Sequence, residues 1–364
     1  MILFDARALQ GEQPTGVGNY TKQIANALKK SELNHNIQFL HTGIKQTHAE
    51  SVRIPNKLLN LGMLLADTPT LEQLSKSKPS VIFIPNLNFV ATNPETPYIL
   101  TVHDLSFHHH PQWYSKKMRL WHKAVNPKRL IQNAKHVIAV SRATRNDCIK
   151  TFNIPEKNIT TIYPGITQYK PSAQQPLIKQ PYILSIGAIE PRKNLQVLFR
   201  AFIKLKKKHP SLKLVLAGPV GHKGRKILNS MKHEDVTYLG YVTHQTKINL
   251  LTHTKIFAYP SLFEGFGFPA LEAMMTKTPV VASWTTSLKE ILGDNALLTH
   301  PHNHDELELA IDSILADQSL TNKLTEQGYA HAQTFTWNRC ATQTAEILKN
   351  TTNKTQSSPL NPQS

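Results

Sequence analysis

Short apolar runs recur along this chain at fairly even spacing, with amphipathic stretches between them. ILFDA (2–6), IQFLHT (37–42), VIFIPN (81–86), YILTVHD (98–104), HVIAVS (136–141) and TTIYPG (160–165) come first. YILSIGA (182–188), LKLVLAG (212–218), VTYLGY (236–241), IFAYPS (256–261), PVVASW (279–284) and ALLTH (296–300) follow. Most are continuously apolar and rich in β-branched residues, the pattern of a strand covered on both faces. GNYTKQIANALKKS and NLQVLFRAFIKLKKKH instead repeat apolar residues every three or four positions, which is helical spacing. Strands alternating with such helices predict parallel sheets with helices on both sides. Six runs on either side of a break predict an α/β protein of two doubly wound, Rossmann-like domains.

The break is TQYKPSAQQPLIKQP, which has three prolines, much glutamine and no clear period, so it reads as a linker. The expected organisation is a first domain over 1–166, the linker at 167–181 and a second domain over 182–350. The last helices of the second domain are free to pack back on the first. The polar stretch 351–364 is expected to be disordered. A length of 364 residues suits two cores better than one. No apolar run reaches the roughly 18 residues of a membrane span. MILFDARALQ carries acid and base too early for a signal peptide. With only Cys148 and Cys340 present, a reduced, cytoplasmic chain is expected.

Charge narrows the choice of partner. Lys and Arg total 42 against 24 acids, a formal +18, which points to something anionic. SKKMRLWHKAVNPKRL, from Ser115 to Leu130, holds six of the cations and no acid, with Trp121 interleaved and Trp113 and Tyr114 just before it. Tryptophan beside lysine suits an anionic membrane surface. KLKKKHPSLK, from Lys204 to Lys213, reads equally well as a solvated helical face. No nucleic-acid-binding motif accompanies the charge, so nucleic acid is not an expected partner.

In doubly wound sheets, ligands bind beyond the carboxyl ends of the strands, and the residues that can carry chemistry fall there. Gly16 and Gly18 follow the first strand and precede a helix, where backbone can approach a phosphate. His103 and Asp104 end the fourth strand. His103 alone fits a sugar or proton contact or a half-buried structural histidine. Arg192 and Lys193 follow the seventh strand, a guanidinium and an ammonium suited to a diphosphate. No Asp-x-Asp pair occurs for a nucleotide-bound metal, and no metal is expected at the adjacent histidines of HHHP. After the tenth strand, FEGFGFPALEAM sets Glu264 and Glu272 eight residues apart around Gly265, Phe266, Gly267 and Phe268. Pro269 opens a helix there, with Glu272 expected in its first turn. Both glutamates fit sugar hydroxyls, or simply the ends of loop and helix.

Taken in order, TGVGNYT, GAIEPRKN, LAGP, YLGYV, the E-x7-E pair Glu264 and Glu272, and LKEILGDNALL resemble retaining glycosyltransferases of family 4, over nearly the whole chain. HDLSFHHHP followed by AVSRATRNDC is similar to bacterial mannosyltransferases of lipopolysaccharide and surface-polysaccharide assembly. The resemblance implies the GT-B fold, two Rossmann-like domains facing each other across a cleft. It implies a nucleotide-sugar donor, with GDP-mannose the leading choice over UDP-sugars, and no metal or other cofactor. A GT-B epimerase is the remote alternative. The implied acceptor is a glycan or a polyprenyl-diphosphate-linked sugar, met by a peripheral enzyme on the inner face of the cytoplasmic membrane. By the same resemblance Glu272 holds the ribose, Glu264 the donor sugar, Arg192 and Lys193 the diphosphate. The Gly16 loop covers the diphosphate and His103 meets the sugar. Loss of Glu264 should then abolish turnover with little unfolding. Ala188 stands where many members carry arginine, and Trp284 is bulkier than expected near the nucleotide.

Overall fold

The computed structural model describes residues 1–10, 16–43 and 52–356. All twelve predicted strands form: β1 (Ile2–Asp5), β2 (Ile37–Leu40), β3 (Val81–Ile84), β4 (Tyr98–Val102), β5 (His136–Ala139), β6 (Ile159–Thr161), β7 (Tyr182–Ile186), β8 (Lys213–Ala217), β9 (Val236–Tyr238), β10 (Ile256–Tyr259), β11 (Val280–Ser283) and β12 (Leu297–Thr299). They make two six-stranded sheets, ordered β2-β1-β3-β4-β5-β6 and β12-β11-β10-β7-β8-β9. The pairings are parallel, with Ile2 opposite Ile37 and Val81, and Ile183 opposite Leu214 and Ile256. Strand order therefore reverses between β1 and β3 in one sheet and between β7 and β10 in the other, where such sheets open to ligands.

Helices in the first half are α1 (Gly16–Leu28), α2 (Asn56–Leu65), α3 (Ser106–His109), α4 (Lys116–Val125), α5 (Pro127–Asn133) and α6 (Arg142–Phe152). Those that follow are α7 (Leu195–Leu205), α8 (Gly224–Ser230), α9 (His244–His253), α10 (Phe268–Met275), α11 (Thr286–Leu292), α12 (His304–Ala316), α13 (Gln318–Ala332) and α14 (Trp337–Gln356). On α7, Leu195, Leu198, Ala201, Phe202 and Leu205 form one buried stripe. They pack on Leu214, Leu216 and Ile256 of the second sheet, with Leu307 and Ile311 of α12 in the same core.

Contacts divide the chain into two compact units that do not follow chain order. One holds residues 1–105, 116–165 and Trp337 onward; the other holds 106–115 and 166–336. Residues 106–115, expected in the first domain, join the second unit, where the His109 and His110 rings meet Phe263. Residues 337–350 do pack back on the first unit, as the sequence allowed, because α14 lies along α1 and Trp337 meets the Tyr20 ring at 5.7 Å. The linker is not a free tether. Ser172 N–H donates to Thr252 and Leu177 N–H to Asn249, both on α9.

Two further expectations shift. Helix α14 runs through Gln356 and buries Thr351, so 351–356 are helical rather than disordered; residues 357–364 lie outside the described residues. Residues 11–15 of the first glycine loop also lie outside them. Cys148 and Cys340 are free, buried thiols.

Candidate active site

In the second unit, β7 ends at Ile186 and the chain turns through Gly187, whose φ of +155° disfavours a side chain. A Cβ there would lie 3.1 Å from Cε of Lys193. Glycine thus opens the path along which the lysine reaches inward. Pro191–Lys193 form a 3-10 turn closed by Asn194 at φ +54°. The Asn194 amide donates to the carbonyls of Pro260 and Pro301, tying this turn to the end of β10.

The turn and the β10 loop meet at Glu264. Lys193 Nζ donates to Glu264 Oε1 at 2.5 Å and to the Tyr259 hydroxyl at 2.7 Å. Arg192 Nη1 donates to Glu264 Oε2 at 2.9 Å and to the Phe263 carbonyl at 3.0 Å, and its Nε donates to Glu190. Thr286 and Ser287, at the start of α11, donate to the Glu264 carbonyl. Glu264 is 7% exposed and Lys193 7%. Burial alone would raise the Glu264 carboxyl, but Arg192 and Lys193 outweigh it and hold the group at about 2. Burial lowers the Lys193 ammonium, against the pull of Glu264.

This gives a pH signature. A carboxyl lowered by folding contributes stability that is full above its ordinary value of 4.5 and is lost as pH falls toward about 2. The difference corresponds to about 3 kcal/mol. In urea unfolding over that window, the wild type should lose about this much more than Glu264→Gln. Equal losses would contradict the pairing.

Gly267, at φ +107°, caps α10, and Pro269 sits in its first turn. Glu272 lies one turn further in than expected, in the second turn, and is 8% exposed. Its Oε1 accepts from Lys247 Nζ at 2.8 Å and from the Tyr169 hydroxyl at 3.1 Å. Lys247 also lies over the Tyr169 ring. Burial, with Glu272 beside it, pushes the Tyr169 phenol up to about 12. Gly265 is buried, and the Phe266 ring packs against Phe268 and Phe335. Trp284 is 56% exposed, under Lys289.

In the first unit, His103 follows β4 and its Nε2 lies 3.0 Å from the Pro85 carbonyl beyond β3. A carbonyl only accepts, so Nε2 carries the proton. Burial lowers the ring's pKa, which leaves a neutral imidazole with Nδ1 as an acceptor. The Tyr20 ring meets His103 edge-on at 4.7 Å. Asp104 follows at the strand end and is half-buried. Gly16 and Gly18 lie inside the first turn of α1 rather than before it. A Cβ on Gly16 would meet nothing within 4 Å, so the fold does not itself demand glycine there.

The structure brings Arg192, Lys193 and Glu264 together as ion pairs, with Glu272 on the helix that follows. Tyr169, Lys247, Tyr259, Asn194, Thr286 and Ser287 were not singled out. Nor was a buried pair in the first unit, where Arg7 meets the Asp5 carboxylate at 2.7 Å at the end of β1. Its position at a strand's carboxyl end is a signal that could have found it.

Comparison with known proteins bears on the same halves. Residues 14–168 match the family described as Glycosyltransferase Family 4, and residues 170–331 the family described as Glycosyl transferases group 1. Over 270 residues the chain is 32% identical to O-antigen chain mannosyltransferase B of Escherichia coli, covering 69% of this chain and 70% of the relative. Its fold is similar to that of sucrose-phosphate synthase (tll1590) from Thermosynechococcus elongatus, with TM-score 0.75, 19% identity and coverage of 96% and 98%. It is also similar to Anabaena Alr3699/HepE, solved in complex with UDP-glucose, with TM-score 0.70, 19% identity and coverage of 96% and 99%. With the two parallel six-stranded sheets, these likenesses identify the fold as GT-B.

Proposed function

The chain belongs to the family 4, group 1 glycosyltransferases, and from that premise we propose that it transfers mannose from GDP-mannose to a hydroxyl of a lipid-linked or lipopolysaccharide glycan, without a metal and with retention of anomeric configuration. The observation that carries this reading is the convergence of Arg192 and Lys193 on Glu264 where β7 and β10 part. The mannose and the glycan acceptor follow the Escherichia coli relative. In this reading the acceptor hydroxyl attacks the anomeric carbon on the face that the diphosphate leaves. The bond from that carbon to the phosphate oxygen breaks, the glycosidic bond forms, and the departing phosphate takes the hydroxyl's proton. Arg192 and Lys193 stabilise the charge building on the diphosphate. Glu264 faces the sugar and Glu272 the ribose, and Nδ1 of His103, in the first unit, is an acceptor suited to a hydroxyl.

Thermal unfolding with GDP, UDP and ADP and their sugar conjugates, with EDTA throughout, tests the donor. A stabilisation selective for GDP-mannose and lost in Glu272→Ala is expected. A selective shift with a UDP-sugar would replace mannose and keep the family. Interconversion of the donor sugar without acceptor would replace transfer by epimerisation.

An anionic membrane surface at the inner face of the cytoplasmic membrane completes the reading. No helix among the described residues is long and apolar enough to cross a membrane. On α2, Leu59 and Met63 face inward while Leu58, Leu61, Leu64 and Leu65 are exposed, Leu65 at 75%. On α4, Leu120 and Met118 are exposed among Lys116, Lys117 and Arg119. Arg7 joins the two helices, reaching the Met63 sulfur and the carbonyl of Phe89, whose ring meets Trp121. Leucine beside lysine and arginine suits an interface of anionic headgroups. Co-sedimentation with phosphatidylglycerol vesicles should exceed that with phosphatidylcholine vesicles and fall in Leu61→Gln/Leu65→Gln. Equal binding to both would count against it.

A further inference from the structure

The segment Ser106–Ser115 has no role in the chemistry above, yet it belongs to the second unit and lies beside the Glu264 cluster. It folds as α3, then a 3-10 turn over Pro111–Trp113, closed by a 2.6 Å bond between the Ser106 and Tyr114 hydroxyls. The fold of this segment sets out a row of rings. His110 stacks on Trp113 with centroids 4.0 Å apart and planes at 20°. His109 and His110 meet the Phe263 ring at 6.2 and 6.0 Å. Phe263 immediately precedes Glu264, and its carbonyl accepts from Arg192. His109 and Gln112 are exposed; His110, Trp113 and Phe263 are half-buried.

The chemistry of this row differs from that of its neighbours. SFHHHPQWYS contains no Asp, Glu, Lys or Arg, whereas six cations follow it before Leu130. Flat rings bordered by uncharged hydrogen-bonding groups match a neutral hexopyranose, which has an apolar C–H face and a polar rim of hydroxyls. They do not match a diphosphate, which Arg192 and Lys193 suit, or an acyl chain, which has no rim to satisfy. We infer that His109, His110, Trp113 and Phe263 form a platform for a sugar ring of the acceptor glycan, next to the carboxylate assigned to the donor sugar. This rests on the glycosyltransferase reading above and adds to it where the acceptor's ring is received.

Saturation-transfer difference NMR on the full chain, with methyl α-D-mannopyranoside as probe and GDP present, tests the platform. The wild type should show saturation of the sugar protons. His109→Ala/His110→Ala should reduce it at least fivefold, and His109→Phe should retain it, since a ring rather than an imidazole is required. Phe263→Leu gives a second way to remove an aromatic face should the double variant unfold. Stabilisation by GDP-mannose, measured in parallel, should be unchanged in all of them. Sugar saturation equal in wild type and ring-lacking variants, or absent from the wild type, overturns the platform. So does a loss of GDP-mannose stabilisation with GDP stabilisation intact, which would assign the rings to the donor's sugar. The donor reading stands or falls on the nucleotide-sugar shift, so the two failures are distinguishable.

Discussion

Replacing Glu264 by glutamine should lower kcat by about 10²- to 10³-fold while leaving the protein folded, the loss seen when one preorganised electrostatic contact to a reacting group is removed. Glutamine keeps an acceptor for Lys193 at nearly the same volume. Alanine should behave differently from the expectation drawn from sequence, in which turnover vanishes with little unfolding. Lys193 and Arg192 both end on Glu264, and Lys193 is almost fully buried. Removing the carboxylate leaves a buried ammonium without its charged partner, at a cost of about 3–5 kcal/mol. Steady-state kinetics and urea unfolding on both variants separate the two roles. Full turnover in Glu264→Gln would remove this residue from the chemistry. Wild-type stability in Glu264→Ala would show that the buried pairs contribute little.

The second large effect concerns Glu272. Glu272→Ala should weaken nucleoside-diphosphate binding by about 100-fold, as expected from losing charge-assisted hydrogen bonds to a diol, each contributing about 1.5–3 kcal/mol. Lys247 holds Glu272 Oε1 from α9, so Lys247→Met should leave the carboxylate ordered only by Tyr169. Lys247 is a positioning residue in this account. The expected result is about tenfold weaker affinity by calorimetry, a matching rise in KM for the donor, and kcat within about twofold of wild type. A fall in kcat at unchanged affinity would place Lys247 in the chemical step instead.

The strands were legible because sheets covered on both faces leave continuous apolar runs, and VIFI and YILTV are buried throughout. Arg192, Lys193, Glu264 and Glu272 could be singled out as candidates because they follow strand ends, where such sheets bind ligands. The supporting contacts were not. Tyr169 meets Glu272 across 103 residues and Lys193 meets Tyr259 across 66, and no local period records a pairing made by tertiary packing. Tyr169 was hidden further by lying among prolines and glutamines, where the composition signals a tether. The turn of α10 that holds Glu272 was misjudged because proline marks a helix start only to within a residue or two. The placement of 106–115 was hidden because chain order does not say which core a segment joins, whereas the sequence left the last helix free to return to the first unit.

Helix α14 carries a consequence for how this protein is made. Synthesis runs from the N-terminus, so the ribosome delivers β1 to β6 early and withholds the helix that covers α1 until the second unit has emerged. The nascent first unit must wait with the α1 flank around Tyr20 uncovered by its native partner, a period of exposure to aggregation. A gene fragment encoding residues 1–166 would prolong that interval indefinitely and should yield aggregate. Co-expression with a fragment that supplies residues 337–356 should restore soluble product.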